Sequence, residues 1–183
     1  ASGITASFLG QSIALDVKAR QQEQGYTTDV NFSGDWDVPQ AVLQAHPQLA
    51  KYVHGKTQWD GKLNLVLPEQ GYQYNLQLHS QLAGVDLNAP QPLAKDANTS
   101  LPLFFDSEGD EQVSTVRILL GRNVKFNGIL PHDTLQFSRA HLSVGGDNFV
   151  GMGLGFSVSA DLPRLDYSGW HAFIGDLVDG LPD

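Results

Sequence analysis

Strict alternation of apolar and polar residues is the feature that most limits what this 183-residue chain can fold into. It is clearest between Tyr72 and Leu82, where tyrosine and leucine fill one set of alternate positions and polar residues fill the other. The same period returns at positions 12–19, 25–34, 63–67, 116–120 and 152–162. A period of two places every second side chain on the same face of a β-strand, so the pattern predicts about nine or ten strands, each with one apolar face.

One-sided strands of this kind are typical of antiparallel sheets, because parallel strands covered on both faces read as continuous apolar runs. Two segments break the alternation and predict helices: residues 37–53, which Pro47 divides into two short pieces, and residues 166–178. A βαβ fold needs a helix between each pair of parallel strands, and two helical segments are too few for that, so this fold is disfavoured. A barrel, a sandwich and one long curved sheet remain as alternatives.

Four local patterns predict finer detail. Residues 85–100 are rich in proline, asparagine and alanine and predict a long surface loop, whereas the acidic run 106–111 predicts a hairpin turn. The apolar phase shifts near Ser138-Arg139, which indicates a bulge or bend. Asp166 or Ser168 can cap the start of the second helical segment.

Composition excludes several classes of protein. The chain has no cysteine, so it has no disulfide, no thiol nucleophile and no cysteine-bound zinc. A net charge of −9 disfavours nucleic acid as a partner, because phosphate backbones are bound by positive charge. Apolar runs of three or four residues, such as 118–120, are far shorter than the roughly twenty that span a bilayer.

Motifs that carry chemistry are also missing from the sequence. None of the six histidines forms a His-x-His or His-x-x-x-His pair, and the acidic run 106–111 lacks the spacing of a calcium-binding loop. The glycines at 151, 153 and 155 alternate along a strand instead of opening a helix, and there is no Gly-x-Ser-x-Gly motif. We therefore expect no enzyme activity, no metal and no cofactor.

The one-sided strands leave two interpretations of the function open. The apolar faces can close on one another as a dry core, which makes the chain a structural domain. Alternatively, part of the sheet stays open as an apolar trough for a lipid, whose acyl chains need no hydrogen bonds and so demand no polar motif. The residues alone do not decide between these two.

A series of short segments, in a fixed order, supplies a further indication. They are GKTQWDG (55–61), LNLVLP (63–68), SQLAGV (80–85), APQPLAK (89–95), LPL (101–103), FSRAHL (137–142) and LPRLD (162–166), followed by a helix bearing Trp170. In order and spacing this set resembles the AsmA-like periplasmic proteins of Gram-negative bacteria, in particular the YhdP family. Residues 55–178 carry the best match, and residues 1–54 match more loosely through FSGDW (32–36).

The resemblance implies a function in lipid transport and outer membrane biogenesis. Members of this family look like long proteins attached to the inner membrane, with a repeating β-groove that bridges the periplasm and carries phospholipid to the outer membrane. The chain would be one periplasmic β-groove segment, spanning residues 1–183. Its partners would be phospholipid acyl chains, neighbouring groove segments of the same chain and, through the full-length protein, both membranes. The family offers no catalytic residues.

Taken together, these arguments predict a mainly β protein in which a strongly curved antiparallel sheet forms an open groove or incomplete barrel with one or two short helices. We expect alternate apolar residues to line the groove, with the helix at Trp170 as a plug. The predicted lining residues are Leu15, Val17, Phe32, Leu65, Tyr74, Leu76, Leu78, Phe126, Leu154, Phe156 and Val158.

Two other functions remain possible on the sequence. A carbohydrate-binding β-sandwich would use Trp36, Trp59, Trp170 and some of the five tyrosines as an exposed row of rings. A structural or protein-interaction domain would instead dock its neighbours through unpaired edge strands.

Overall fold

The structure is a computed structural model that describes residues 2–8, 10–22, 25–45, 47–146, 153–164 and 166–179. Eleven strands lie within these ranges: β1 (Ser2–Phe8), β2 (Gln11–Gln22), β3 (Gly25–Asp37), β4 (Val53–Leu67), β5 (Gln73–Ser80), β6 (Val85–Leu87), β7 (Leu103–Asp110), β8 (Val113–Leu120), β9 (Val124–Pro131), β10 (Arg139–Val144) and β11 (Gly155–Ala160). The helices in the same ranges are α1 (Val38–Ala45), a 3₁₀ helix (Pro47–Tyr52) and α2 (Tyr167–Asp179).

The strands form a single large sheet in the described part of the chain. Ten of them pair in the order β1-β2-β3-β4-β5-β7-β8-β9-β10-β11, and the short β6 pairs with the start of β4. The sheet does not close on itself, so β1 and β11 are its edges. The predicted mainly β, open-sheet fold with short helices is thus confirmed, with one difference: β10 and β11 run parallel.

The pairing register separates the sheet into an apolar face and a polar face. One row of cross-strand partners consists of Leu15, Phe32, Gly61, Leu78, Phe105, Ile118, Phe126, Leu142 and Val158. The adjacent row, one residue along each strand, consists of Asp16, Asn31, Lys62, Gln77, Asp106, Arg117, Asn127, His141 and Ser157. Because side chains alternate along a strand, all apolar residues of the first row share one face and the polar row occupies the other.

Gly61 marks a close approach on the apolar face. It lies between Phe32 and Leu78, and a Cβ at this position would come within 2.4 Å of Phe32 Cε2 and 2.6 Å of the Gln77 carbonyl oxygen. Glycine is therefore needed here so that the Phe32 ring can lie against the backbone of β4.

We expect Gly61→Ala to lower the free energy of unfolding by about 1–3 kcal/mol, because the added methyl group must displace the Phe32 ring and a backbone carbonyl. Chemical denaturation measures this change. Gly153→Ala is the matched control, since nothing lies within 4 Å of a Cβ there. Equal stability of Gly61→Ala and the wild type would contradict the packing of Phe32 on Gly61.

A cap of three segments, namely the 3₁₀ helix, residues 85–100 and α2, covers one end of the apolar face. The cap and the sheet share one cluster, whose buried members are Leu93, Val124, Leu142, Val144 and Trp170. Phe173, Ile174 and Leu177 of α2 pack against the same cluster, which buries the apolar side of the helix. Trp170 therefore lies against the start of β9 and the end of β10.

Side chains hold this cap in place. Asp166 caps α2 by accepting hydrogen bonds from the Gly169 backbone N–H (3.1 Å) and the Ser168 hydroxyl (2.9 Å), which together keep the pKa of its carboxyl below the usual range. Trp170 Nε1 donates to the Gln91 carbonyl at 3.0 Å. Tyr52 of the 3₁₀ helix donates its hydroxyl to Asp176 of α2 at 2.5 Å.

Local sequence predictions differ from the structure in three places. Residues 88–100 are an irregular connection, as predicted, but the segment 85–100 is not wholly on the surface: Val85 is fully buried, and Leu93 is 7% exposed and packs in the same cluster as Trp170 of α2. The acidic run 106–111 does not turn until residue 111, since Asp106 and Glu108 alternate on the polar face of β7 and both bind Arg117 of β8 (2.7 and 2.9 Å).

The third difference lies near Ser138-Arg139, where the sequence predicts a bulge or bend. The structure instead has a connection between two separate strands. The chain leaves β9 at Pro131 and re-enters the sheet at Arg139, with Leu135 in a left-handed conformation between them (φ 54°). Phe137 folds back onto Phe126, with ring centroids 5.3 Å apart. The predicted strand at 152–162 starts at Gly155, and residues 147–152 lie outside the described ranges.

Candidate functional site

The apolar face gathers the predicted lining residues from six of the strands. Ten of the eleven lie on it according to the register: Leu15, Val17, Phe32, Leu65, Tyr74, Leu76, Leu78, Phe126, Phe156 and Val158. Leu154 does not join them, because it precedes β11 and is 83% exposed. These assignments came from the alternation of the sequence, which includes Leu154, but the strand β11 begins only at Gly155.

Burial is uneven along this face. The hydrophobic side chains buried between the cap and the sheet include Val124, Leu142, Val144 and Trp170. Away from the cap, Leu15, Leu65, Leu76 and Leu78 are only half-buried. Exposed side chains of the face lie towards its edges and its uncapped end, and they include Ile4, Tyr26, Leu67, Tyr72 and Val158. The apolar face is therefore part covered core and part accessible surface.

The total exposed surface agrees with an open face. The chain exposes 11140 Å², whereas a compact monomer of 19.9 kDa exposes about 8,700 Å². The excess of roughly 2,400 Å² is what a single open sheet leaves when no second sheet covers it.

The tryptophans do not form an exposed row of rings. Trp59 is 6% and Trp170 is 5% exposed, and the Trp36 ring packs on Trp59 with centroids 4.4 Å apart. Phe32 completes this aromatic cluster at 5.3 Å from Trp59. Together with the single-sheet architecture, this burial overturns the carbohydrate-binding β-sandwich that the tryptophans suggested.

A chain of polar side chains interrupts the apolar face at its uncapped end. Tyr74 Oη lies 2.9 Å from Ser107 Oγ and 2.5 Å from Ser114 Oγ, and Ser114 Oγ lies 2.7 Å from His132 Nε2. Ser107 and Ser114 are buried. The sequence analysis did not single out these serines, although each occupies a position that alternation assigns to the apolar face of its strand.

The polar face has a different character. A depression of about 1070 Å³ on this side is lined mainly by polar residues, among them Ser33, Asp35, Gln58, Asp60 and His79. The described residues contain no group of three or more His, Cys, Asp or Glu side chains that could hold a metal ion. The predicted lining residues gather on the apolar face and not in this depression, so the apolar face remains the candidate site.

Comparison with known proteins decides the family. The family model described as YhdP protein matches residues 1–181. The chain belongs to the YhdP family. It is 31% identical over 114 residues to the intermembrane phospholipid transporter YhdP of Escherichia coli (strain K12), an alignment that covers 58% of this chain and 8% of that protein.

The chain thus spans a small part of its YhdP relative. No solved structure matches it. Among the helices of the described ranges, none is both long and apolar enough to cross a membrane.

Proposed function

We propose that this chain is a segment of a periplasmic lipid-transport bridge, and that its apolar face carries phospholipid between the inner and outer membranes. The observation that carries the proposal is the apolar face shared by ten paired strands, on which Leu15, Leu65, Leu76 and Leu78 are only half-buried. The name of the E. coli relative, an intermembrane phospholipid transporter, supports the same function. In the full-length protein the bridge is attached to the inner membrane.

The physical chemistry of the face suits acyl chains. Each Å² of apolar surface removed from water contributes about 25 cal/mol, and an acyl chain needs no hydrogen bonds from the protein. Leu15, Phe32 and Leu78 offer this surface in one row, and the Phe32 ring lies over Gly61 of β4 between its neighbours. Strands lie about 4.8 Å apart, so ten strands extend the lining over roughly 43 Å, and acyl chains slide along it while headgroups stay in water.

The edges of the sheet support continuation into neighbouring segments. β1 has the sequence SGITASF and β11 has GFSVSA, so neither edge strand carries a charge or a proline. Exposed edges usually carry such residues because they block the addition of further strands. Groove segments of the same long chain are the partners that these two edges fit.

The proposal predicts that this chain, purified from a Gram-negative host without harsh detergent, retains phospholipid. Organic extraction followed by mass spectrometry measures the lipid, and native mass spectrometry gives the number bound per chain. We expect about one or a few phospholipids per chain, because an open apolar face of this size is stabilised by covering it. A folded chain that carries none would contradict the transport function and favour a purely structural segment.

A further inference from the structure

Tyrosines gather at the uncapped end of the apolar face. Tyr26 of β3 is 53% exposed beside Leu67, and Tyr72 lies just before β5 with its ring 6.4 Å from that of Tyr74. Tyrosine has an apolar ring and a polar tip, so it prefers places where apolar surface meets water. This group, which we call the tyrosine rim, marks the level at which the apolar lining ends.

The polar chain at the rim has a defined direction when the His132 imidazole is neutral. The Glu111 carbonyl, 3.1 Å from His132 Nδ1, can only accept, so Nδ1 carries the hydrogen and Nε2 accepts one from Ser114. Ser114 has then used its hydrogen and accepts from Tyr74, which in turn accepts from Ser107. Every hydrogen of the chain is used internally, and what remains is lone pairs on the hydroxyl oxygens. Ser107 and Ser114 are buried, so the half-buried Tyr74 presents the lone pair that a headgroup can reach.

We propose that the tyrosine rim and this hydroxyl chain bind the headgroup of a phospholipid, and that they select headgroups with a primary ammonium group. The inference deepens the proposed lipid-transport function and rests on it. A group that fits unused lone pairs must donate hydrogens, which a primary ammonium does and a quaternary ammonium cannot. Tyr72 is exposed and its ring lies near that of Tyr74. Tyrosine faces attract primary and quaternary ammonium groups alike, so the selection comes from the lone pairs of the hydroxyl chain.

The length of the apolar face from the rim to the cap agrees with a lipid whose headgroup lies at the rim. Tyr74 lies at the level of the rim, and Ser80, six residues further along β5, lies at the level of Trp59 and Leu103 near the cap. Six residues of β-strand cover about 20 Å. Half of a bilayer core is about 15 Å thick, so an acyl chain fits between the headgroup level at the rim and the cap.

The test uses phosphatidylethanolamine and phosphatidylcholine with identical acyl chains, since the two have the same net charge and differ in N–H donors. The chain is incubated with equal amounts of both in mixed micelles, repurified and extracted, and the bound ratio is measured by mass spectrometry. We expect a preference for phosphatidylethanolamine of about two- to tenfold, the range of a net hydrogen bond. Tyr74→Phe keeps the ring and removes the hydroxyl, so it should bring the ratio to one with total bound lipid maintained.

Tyr52→Phe is the matched control, because it removes a tyrosine hydroxyl at the cap, away from the rim. It should keep the preference. Binding of both lipids without a preference, or an unchanged preference in a folded Tyr74→Phe variant, would overturn the headgroup site and leave the transport function standing. Binding of neither lipid would contradict the transport function itself, and the headgroup site with it.

Discussion

Replacing Leu76 with aspartate is expected to reduce the phospholipid retained by the purified chain by about a hundredfold or more. Leu76 lies in the uncovered part of the apolar face, between Leu63 of β4 and Ser107 of β7. A bound acyl chain would cover the new carboxylate, and burying an unpaired charge costs several kcal/mol, where each 1.4 kcal/mol is a factor of ten in affinity. Without lipid the carboxylate reaches water, because Leu76 is only half-buried, so the chain should still fold.

Gln77→Asp is the control for this experiment, since it adds the same charge one residue further on, to the polar face. It should leave the retained lipid unchanged. Lipid per chain is measured by mass spectrometry and folding by circular dichroism. If Leu76→Asp unfolds the chain while Gln77→Asp does not, this part of the face is a closed core and the open groove is contradicted.

Removing the Trp170 side chain is expected to lower the free energy of unfolding by about 3–5 kcal/mol, the range for truncating a buried aromatic residue to alanine. Trp170 is 5% exposed, and its ring packs edge-on against that of Phe173 with the centroids 5.8 Å apart. It is the residue of α2 that is buried in the cluster between the cap and the sheet. Trp170→Ala also leaves the Gln91 carbonyl without its indole donor. The measurement is chemical denaturation followed by circular dichroism.

His171→Ala, at the next residue of α2, is the control. His171 is exposed, so the change should stay within about 0.5 kcal/mol of the wild type. A Trp170→Ala variant as stable as His171→Ala would show that the cap is not part of the folded core. The apolar face would then be open at both ends.

Alternation made the faces of the sheet predictable, because it depends on the geometry of the strand alone. Leu15, Phe32 and Leu78 were assigned to one face from their periods, and the register places them in one row across the sheet. The helices were predictable for similar reasons: Pro47 divides the first helical region, and Asp166 caps the last helix.

Long-range packing was not predictable in the same way. Residues 85–100 have the composition of a loop, and the burial of Leu93 depends on its packing in one cluster with Trp170 of α2. The turn predicted at 106–111 was wrong because the acidic residues of this run alternate on the polar face of β7, where Arg117 of the neighbouring strand binds Asp106 and Glu108. Such pairing depends on which strands become neighbours.

The polar chain at the rim shows the same limit. Ser107 and Ser114 follow the phase of the apolar face, yet a small hydroxyl residue in a strand carries no signal until its partners are known. Tyr74 reaches both serines from β5, and His132 arrives from the connection after β9. A cluster assembled from four separate segments is a property of the fold.

Photocrosslinking from the two faces of β4 tests the central claim, that lipid lies on the apolar face, most directly. A benzophenone amino acid is placed either at Leu65, on the apolar face beside Tyr74, or at Lys62, exposed on the polar face. After irradiation in the bacterial host, mass spectrometry of the purified chain detects covalently bound phospholipid. We predict phospholipid adducts from position 65 and none from position 62; equal labelling at the two positions, or labelling at 62 alone, would contradict the account.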